Sequence, residues 1–151
     1  SRRNRLRNGF AAMDVQLKKR WDLVPRLVET VRGYASHEQE LFERVTKARR
    51  GIELAESAGP ERFSHEQDLG AGVARVMLLA EDYPELKAGE QFLNLQRNLS
   101  EVEAQIAAAR RAFNAAVTEI SNVDFNEDQQ YFNKNCLPLG HDDYCNNGSG
   151  T

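Results

Sequence analysis

Apolar side chains recur at alternating steps of four and three residues in four separate stretches of this chain. The longest stretch is unbroken and contains Phe92, Leu95, Leu99, Val102, Ile106, Ala109, Phe113, Ala116 and Ile120. This spacing puts the apolar residues on one narrow stripe of an α-helix, whereas a half-buried strand would alternate at every second residue. Each stripe has to be buried against other helices, so the sequence predicts an all-α fold.

The other three stretches follow the same spacing and are separated by turn-forming segments. They run from Leu6 to Tyr34, from Leu41 to Ala55 and from Leu69 to Tyr83. Together the four stretches predict helices over residues 3–33, 37–57, 65–82 and 86–122. Because the connections are short, we expect an antiparallel up-down four-helix bundle with two long and two shorter helices, packed through narrow seams as in a coiled coil.

Three residues near the middle of the first helix carry specific expectations. Pro25 removes one backbone hydrogen bond without changing the apolar spacing, so it should bend the helix near residues 22–25 and not end it. Trp21, like Tyr83 after the third stretch, should bury most of its ring. Arg20 should lean outward and lay its aliphatic stem against the bundle.

The tetrapeptide "SHEQ" occurs twice and precedes an apolar stretch each time. A serine followed three residues later by glutamine is the capping-box pattern, in which both side chains bond free amides at the start of a helix. We therefore predict that Ser36, Gln39, Ser64 and Gln67 cap two helices. A zinc site of the His-Glu-x-x-His type would need a second histidine one turn later, and both of those positions are leucine.

The composition is that of an ordinary soluble domain. The chain has 151 residues, of which 40% are hydrophobic and 28% charged, which excludes a wholly disordered or membrane-embedded body. No run of residues is apolar enough to span a bilayer, and no secretory signal is visible. The sequence also lacks a phosphate-binding glycine loop and a Ser/His/Asp grouping. We therefore predict no enzyme, and name no catalytic, cofactor-binding or metal-binding residue.

The segment "CLPLGHDDYC" groups the remaining reactive side chains. A disulfide between Cys136 and Cys145, or two free thiols in a polar tail, is the interpretation we favour. Zinc could be held by these cysteines and His141 with Asp142 or Asp143, but the spacing matches no standard zinc motif. A nucleophilic cysteine with His141 as base is the third alternative, although the surrounding segment offers no core to hold it.

Positive charge is concentrated at the beginning of the chain. Residues 1–50 carry 13 Lys or Arg and 6 Asp or Glu, although the whole chain has a net charge of −3. The excess is densest at Arg2, Arg3, Arg5 and Arg7. No nucleic-acid-reading motif accompanies these arginines, so nucleic acid is an unlikely partner. A position beside a membrane surface fits them better.

Two long segments resemble the LemA family of bacterial proteins. They are "MDVQLKKRWDLVPRLVETVRGYASHE", from Met13 to Glu38, and "LLAEDYPELKAGEQFLNLQRNLSEVEAQIAAARRAFNAAV", from Leu78 to Val117. The resemblance implies a helical bundle that follows a single N-terminal membrane helix, a place in the cell envelope, and no established enzymatic activity or cofactor. Residues 1–122 are therefore expected to be a LemA-like bundle whose anchor is absent from this sequence. Residues 123–151 look different and are expected to be a lineage-specific tail or an appended segment.

The arginines near the start of the chain and the cysteines near its end predict opposite sides of the membrane. Arginines directly after a membrane helix favour the cytoplasmic face, whereas a disulfide-spaced cysteine pair suits an oxidising compartment. We favour the cytoplasmic face, because the arginines belong to the family-like part.

The function expected from the sequence is a membrane-tethered helical scaffold that binds other proteins or itself along the bundle. One alternative is binding of anionic lipid through the basic N-terminal helix. Another is an enzyme or metal site in the C-terminal Cys/His/Asp cluster.

Overall fold

The computed structural model describes residues 2–55 and 59–135, and all regular structure within these residues is α-helical. Helix α1 is Arg2–Arg32, α2 is Gln39–Leu54, α3 is Pro60–Ala80, α4 is Pro84–Ala88 and α5 is Glu90–Asn135. The all-α prediction is confirmed.

The region between α3 and α5 differs from the prediction. A short helix, α4, begins at Pro84, and Gly89 then adopts an extended conformation before α5 begins. Pro84 suits the first position of a helix because it has no amide hydrogen to leave unpaired. Helix α5 continues beyond residue 122, so the boundary predicted between residues 122 and 123 falls inside this helix.

The capping prediction for the two "SHEQ" segments is wrong. Helix α3 begins at Pro60 after an extended Gly59, so Ser64 and Gln67 lie inside the helix. A proline followed by an acidic residue is itself a helix-start signal, and it precedes the second segment. In the first segment Ser36 lies in a turn, and the N-cap of α2 is Glu38, which makes no side-chain capping bond. Gln39 is the first residue of α2.

The chain divides into two compact units. The larger one comprises Ala11–Ala109, and the smaller one combines, among the described residues, residues 2–10 with residues 110–135. In the smaller unit the rings of Phe10 and Phe113 pack at a tilt, with their centroids 6.2 Å apart. An exposed ion pair joins Arg5 to Glu119 there, with 3.3 Å between nitrogen and oxygen.

The core of the larger unit is built from the predicted apolar stripes. All of the helices contribute to it, through Val24, Leu27, Val28, Val31, Ala35, Phe42, Val45, Ala48, Leu69, Val73, Val76, Ala80, Leu86, Phe92 and Leu99. Tyr34, which the spacing assigns to a stripe, is exposed, whereas Phe42 and Val28, which lie beside the predicted stripes, are buried. Trp21 and Tyr83 are partly buried and pack against this core, in keeping with the predicted burial of most of each ring.

Helix α1 continues through Pro25, and a side chain from α2 replaces the hydrogen bond that the proline removes. The backbone carbonyl of Trp21 lies four residues before Pro25 and would normally accept the missing amide hydrogen. Arg49 Nε donates to this carbonyl at 2.9 Å. In return Trp21 Nε1 donates to the Arg49 carbonyl at 2.9 Å, and the guanidinium lies 3.6 Å above the indole ring.

A double-mutant cycle between Pro25 and Arg49 tests this compensation. In the wild-type background, Arg49→Met should destabilise the protein by about 1.5–3 kcal/mol, because a charged donor to the Trp21 carbonyl is lost. With Pro25→Ala in place, an amide hydrogen is available again to the Trp21 carbonyl. The destabilisation caused by Arg49→Met should therefore fall by about 1 kcal/mol. Urea unfolding followed by circular dichroism measures both costs. Arg50→Met, at an exposed neighbouring position, is the control, and equal Arg49 costs in both backgrounds would contradict the assignment.

Candidate functional site

Two charged side chains are buried among the described residues, and they pair with each other. Arg20 on α1 and Glu66 on α3 are each 2% exposed. Arg20 Nη2 donates to the carboxylate of Glu66 at 2.9 Å and to its backbone carbonyl at 2.8 Å. Arg20 Nη1 donates to both carboxylate oxygens of Glu103 on α5, at 3.0 and 3.3 Å. The expectation that Arg20 leans outward is therefore wrong, because its head group joins three helices in the interior.

The sequence around these residues explains why they are buried. Arg20 lies on the apolar stripe of α1, three residues after Leu17 and four before Val24, and both of these neighbours are buried. Glu66 lies three residues before the buried Leu69, on the stripe of α3. Gly70 provides the space: a Cβ atom there would lie 2.8 Å from Arg20 Nη1.

A second arginine extends the interaction toward the surface. Arg62 Nε lies 3.7 Å from Glu66 Oε1, and the Arg62 guanidinium pairs with Asp14 on α1. We call Arg20, Glu66, Glu103, Arg62 and Asp14 the Arg20 cluster; it contains three carboxylates and two guanidiniums. Within it, Arg20 Nε and Glu66 Oε1 are buried without a hydrogen-bond partner.

Burial dominates the ionisation of Glu66. Removal from water raises the pKa of this carboxyl above its ordinary value, and the nearby Asp14 charge adds to the rise. The hydrogen bond and charge of Arg20, together with the charge of Arg62, oppose it. Arg20 is closed off from solvent, with both terminal nitrogens already donating, so this guanidinium can hold helices in register but is not accessible to a substrate.

The site residues predicted from sequence lie elsewhere. Arg5 and Arg7 are exposed on α1, and Arg2 and Arg3 belong to the first turn of that helix. Ser64 and Gln67 are exposed on α3. Cys136, His141, Asp142, Asp143 and Cys145 lie outside the described residues.

His65, from the second "SHEQ", is half-buried against α2, where a Cβ on Gly51 would lie 2.5 Å from its ring. Within the part of the chain that the structure describes, no three His, Cys, Asp or Glu side chains group as a metal site would require.

Comparison with known families gives a match to most of the chain. The model of the LemA family matches residues 9–138. The chain belongs to the LemA family. The match includes the whole Arg20 cluster and continues past residue 122, where sequence reasoning ended the family-like part. The LemA family is not known as an enzyme family. A comparison with curated proteins finds no match. Among the helices of residues 2–55 and 59–135, none is both long and apolar enough to cross a membrane.

Removing the buried guanidinium should be far more damaging than removing an exposed one. Arg20→Met leaves Glu66 buried without its partner and should cost about 3–5 kcal/mol of unfolding free energy. Arg5→Met removes an ion pair whose side chains are 65% and 43% exposed, and should cost less than about 1 kcal/mol. Chemical unfolding compares the two variants.

The double variant Arg20→Met/Glu66→Met should recover most of the loss, since replacing both members of a buried ion pair by apolar residues is often close to neutral. If Arg20→Met costs no more than Arg5→Met, Arg20 does not hold the helices together.

The raised pKa of Glu66 predicts a particular pH dependence of stability. Because the folded state binds the Glu66 proton more tightly than the unfolded state, this group contributes most stability below its unfolded pKa. The contribution is lost as the pH rises through the folded-state pKa. Glu66→Gln lacks this titration, so the stability of the wild type relative to Glu66→Gln should fall over that interval. Urea unfolding at a series of pH values measures the difference, with the exposed Glu61→Gln as control. A stability difference that grows with pH would contradict a raised pKa.

Proposed function

We propose that this chain is a non-enzymatic helical scaffold that binds other proteins, or a second copy of itself, at the bacterial cell membrane. The observation that carries the proposal is the Arg20 cluster, in which one buried guanidinium is bonded to two other helices. Such a pair fixes the relative register of helices more than it adds stability. A helical unit whose register is fixed by a buried ion pair can present its exposed helix faces to partners in a defined geometry.

The same observation argues against catalysis at the most polar part of the interior. A catalytic arginine has to reach the substrate, but Arg20 is 2% exposed and both of its terminal nitrogens already donate to Glu66 and Glu103. Family membership agrees with this reasoning, since LemA proteins are not known as enzymes.

An antiparallel four-helix arrangement of the larger unit is part of the proposal. The order of contacts supports it for α1 and α2: Trp21 meets Arg49, whereas Arg32, later in α1, lies 5.3 Å from the ring of Phe42, earlier in α2. For α2 and α3, Gly51 approaches His65, whereas Val45, earlier in α2, approaches a later residue of α3, Gly72.

Exposed leucines are the proposed contact points for a protein partner. Leu54 at the end of α2 is 69% exposed, and Leu78 near the end of α3 is 71% exposed. A partner that covers these side chains would remove apolar surface from water, which is the main favourable term in association.

The membrane part of the proposal rests on charge. Arg5 and Arg7 are exposed on α1 and could face anionic headgroups, and the positive-inside tendency places such residues on the cytoplasmic side. Fractionation of cells that produce the full-length protein tests the membrane association. Loss of vesicle binding on neutralising the four N-terminal arginines would favour the alternative of a lipid binder.

Site-specific photo-crosslinking in the full-length protein in bacterial cells tests the partner surface. A crosslinker at position 54 or 78 should give a discrete adduct, and a crosslinker at the exposed position 97 on α5 should not. Leu78→Asp should remove the adduct formed from the exposed position 74, one turn earlier on α3. It should not change the melting temperature by more than a few degrees, because the leucine side chain is already in water. Adducts that are equal at positions 54, 78 and 97, or absent from all three, would contradict the proposal.

A further inference from the structure

A groove of about 480 Å³ runs between α2 and α3 on the larger unit. Its floor is made of small residues, of which Ala48 and Gly72 are buried. Its sides are lined by Arg44 and Lys47 from α2 and by His65, Asp68 and Arg75 from α3. Asp68 is the one carboxylate among these lining residues, so positive charge dominates the groove.

This groove is lined by more positive charge than two other grooves on the same unit. Among the described residues, no ion pair engages Arg44, Lys47 or Arg75. In the groove between α1 and α2, both arginines lie over aromatic rings. The lining of the groove between α1 and α5 contains one lysine and two carboxylates, Asp22 and Glu101. The α2–α3 groove is therefore the one of the three whose lining Lys and Arg residues outnumber its carboxylates by two.

The register of the two helices brings the two arginines to the same end of the groove. Gly72 lies so close to α2 that a Cβ atom there would be 2.6 Å from Val45 Cγ2. Arg44 directly precedes Val45, and Arg75 lies about one turn after Gly72. Like charges brought together on neighbouring elements repel each other, and an anion bound between them would remove that repulsion.

We propose that the α2–α3 groove binds a phosphate group between Arg44 and Arg75, with Lys47 as an additional cation. The planar guanidinium fork matches phosphate oxygens and forms paired, charge-assisted hydrogen bonds. The phosphate could belong to a lipid headgroup or to a soluble phosphorylated compound. This site is separate from Arg5 and Arg7 and does not depend on the scaffold proposal.

Titration of the whole 151-residue chain with inorganic phosphate and with glycerol phosphate tests the site. Amide chemical shifts in α2 and α3 should move on binding. Arg44→Gln/Arg75→Gln should weaken binding about tenfold or more, because charge-assisted bonds are lost. The matched control is Arg26→Gln/Arg97→Gln, which removes the same charge from exposed positions on α1 and α5 and should leave the affinity within about twofold. Circular dichroism confirms that both variants remain helical.

Vesicles separate the two sources of phosphate. Binding to phosphatidylglycerol vesicles that is lost in the Arg44/Arg75 variant and kept in the control assigns the groove to lipid headgroups. If the Arg44/Arg75 variant loses binding of the soluble phosphates but keeps vesicle binding, the groove is assigned to a soluble phosphorylated compound. Either result supports the proposal. It is overturned if neither the soluble phosphates nor the vesicles bind, or if the Arg44/Arg75 variant and the control variant weaken binding equally.

Discussion

The Arg20 guanidinium is a charge in the interior of a helical protein, and much of the larger unit is arranged to keep it there. Desolvating such a group costs several kcal/mol unless its hydrogen bonds are made inside the protein. Glu66 and Glu103 supply the acceptors from α3 and α5, and Gly70 leaves room for the head group. A sliding of any one of these helices by a single turn would break the arrangement, so one register is selected from several that the apolar stripes alone would allow.

The apolar stripes were predictable because the spacing of Leu, Val and Phe follows the helical period directly. The polar members of the same stripes were not predicted, because Arg20 was assigned to the surface and Glu66 was interpreted only as part of a capping segment. The position of these residues relative to the apolar stripes is the signal that could have identified them. Arg20 falls on the stripe between Leu17 and Val24, and Glu66 falls on the stripe before Leu69. Opposite charges at stripe positions of two helices predict that they are buried together.

Local patterns were less reliable than periodicity. A capping box describes only four residues, and the second one lies downstream of a stronger start signal at Pro60. In this second segment Glu66 is buried in the Arg20 cluster, and His65 packs against Gly51. The Arg44–Arg75 groove could not be predicted at all, because it depends on how close α2 and α3 approach at Gly72. That distance is a property of tertiary packing and is not encoded in the spacing of either helix alone.

The bond from Arg49 to the Trp21 carbonyl has a consequence for how the chain acquires its structure during synthesis. When α1 is synthesised, the Trp21 carbonyl has no hydrogen-bond donor within the helix, because Pro25 has no amide hydrogen. Water has to solvate this carbonyl. The group that replaces the water belongs to the second helix, which is made later. The middle of the first helix therefore becomes fully bonded only when the helical hairpin closes. The docking of α2 and the completion of hydrogen bonding in α1 are therefore a single event. Helix α1 is not a preformed surface onto which α2 packs.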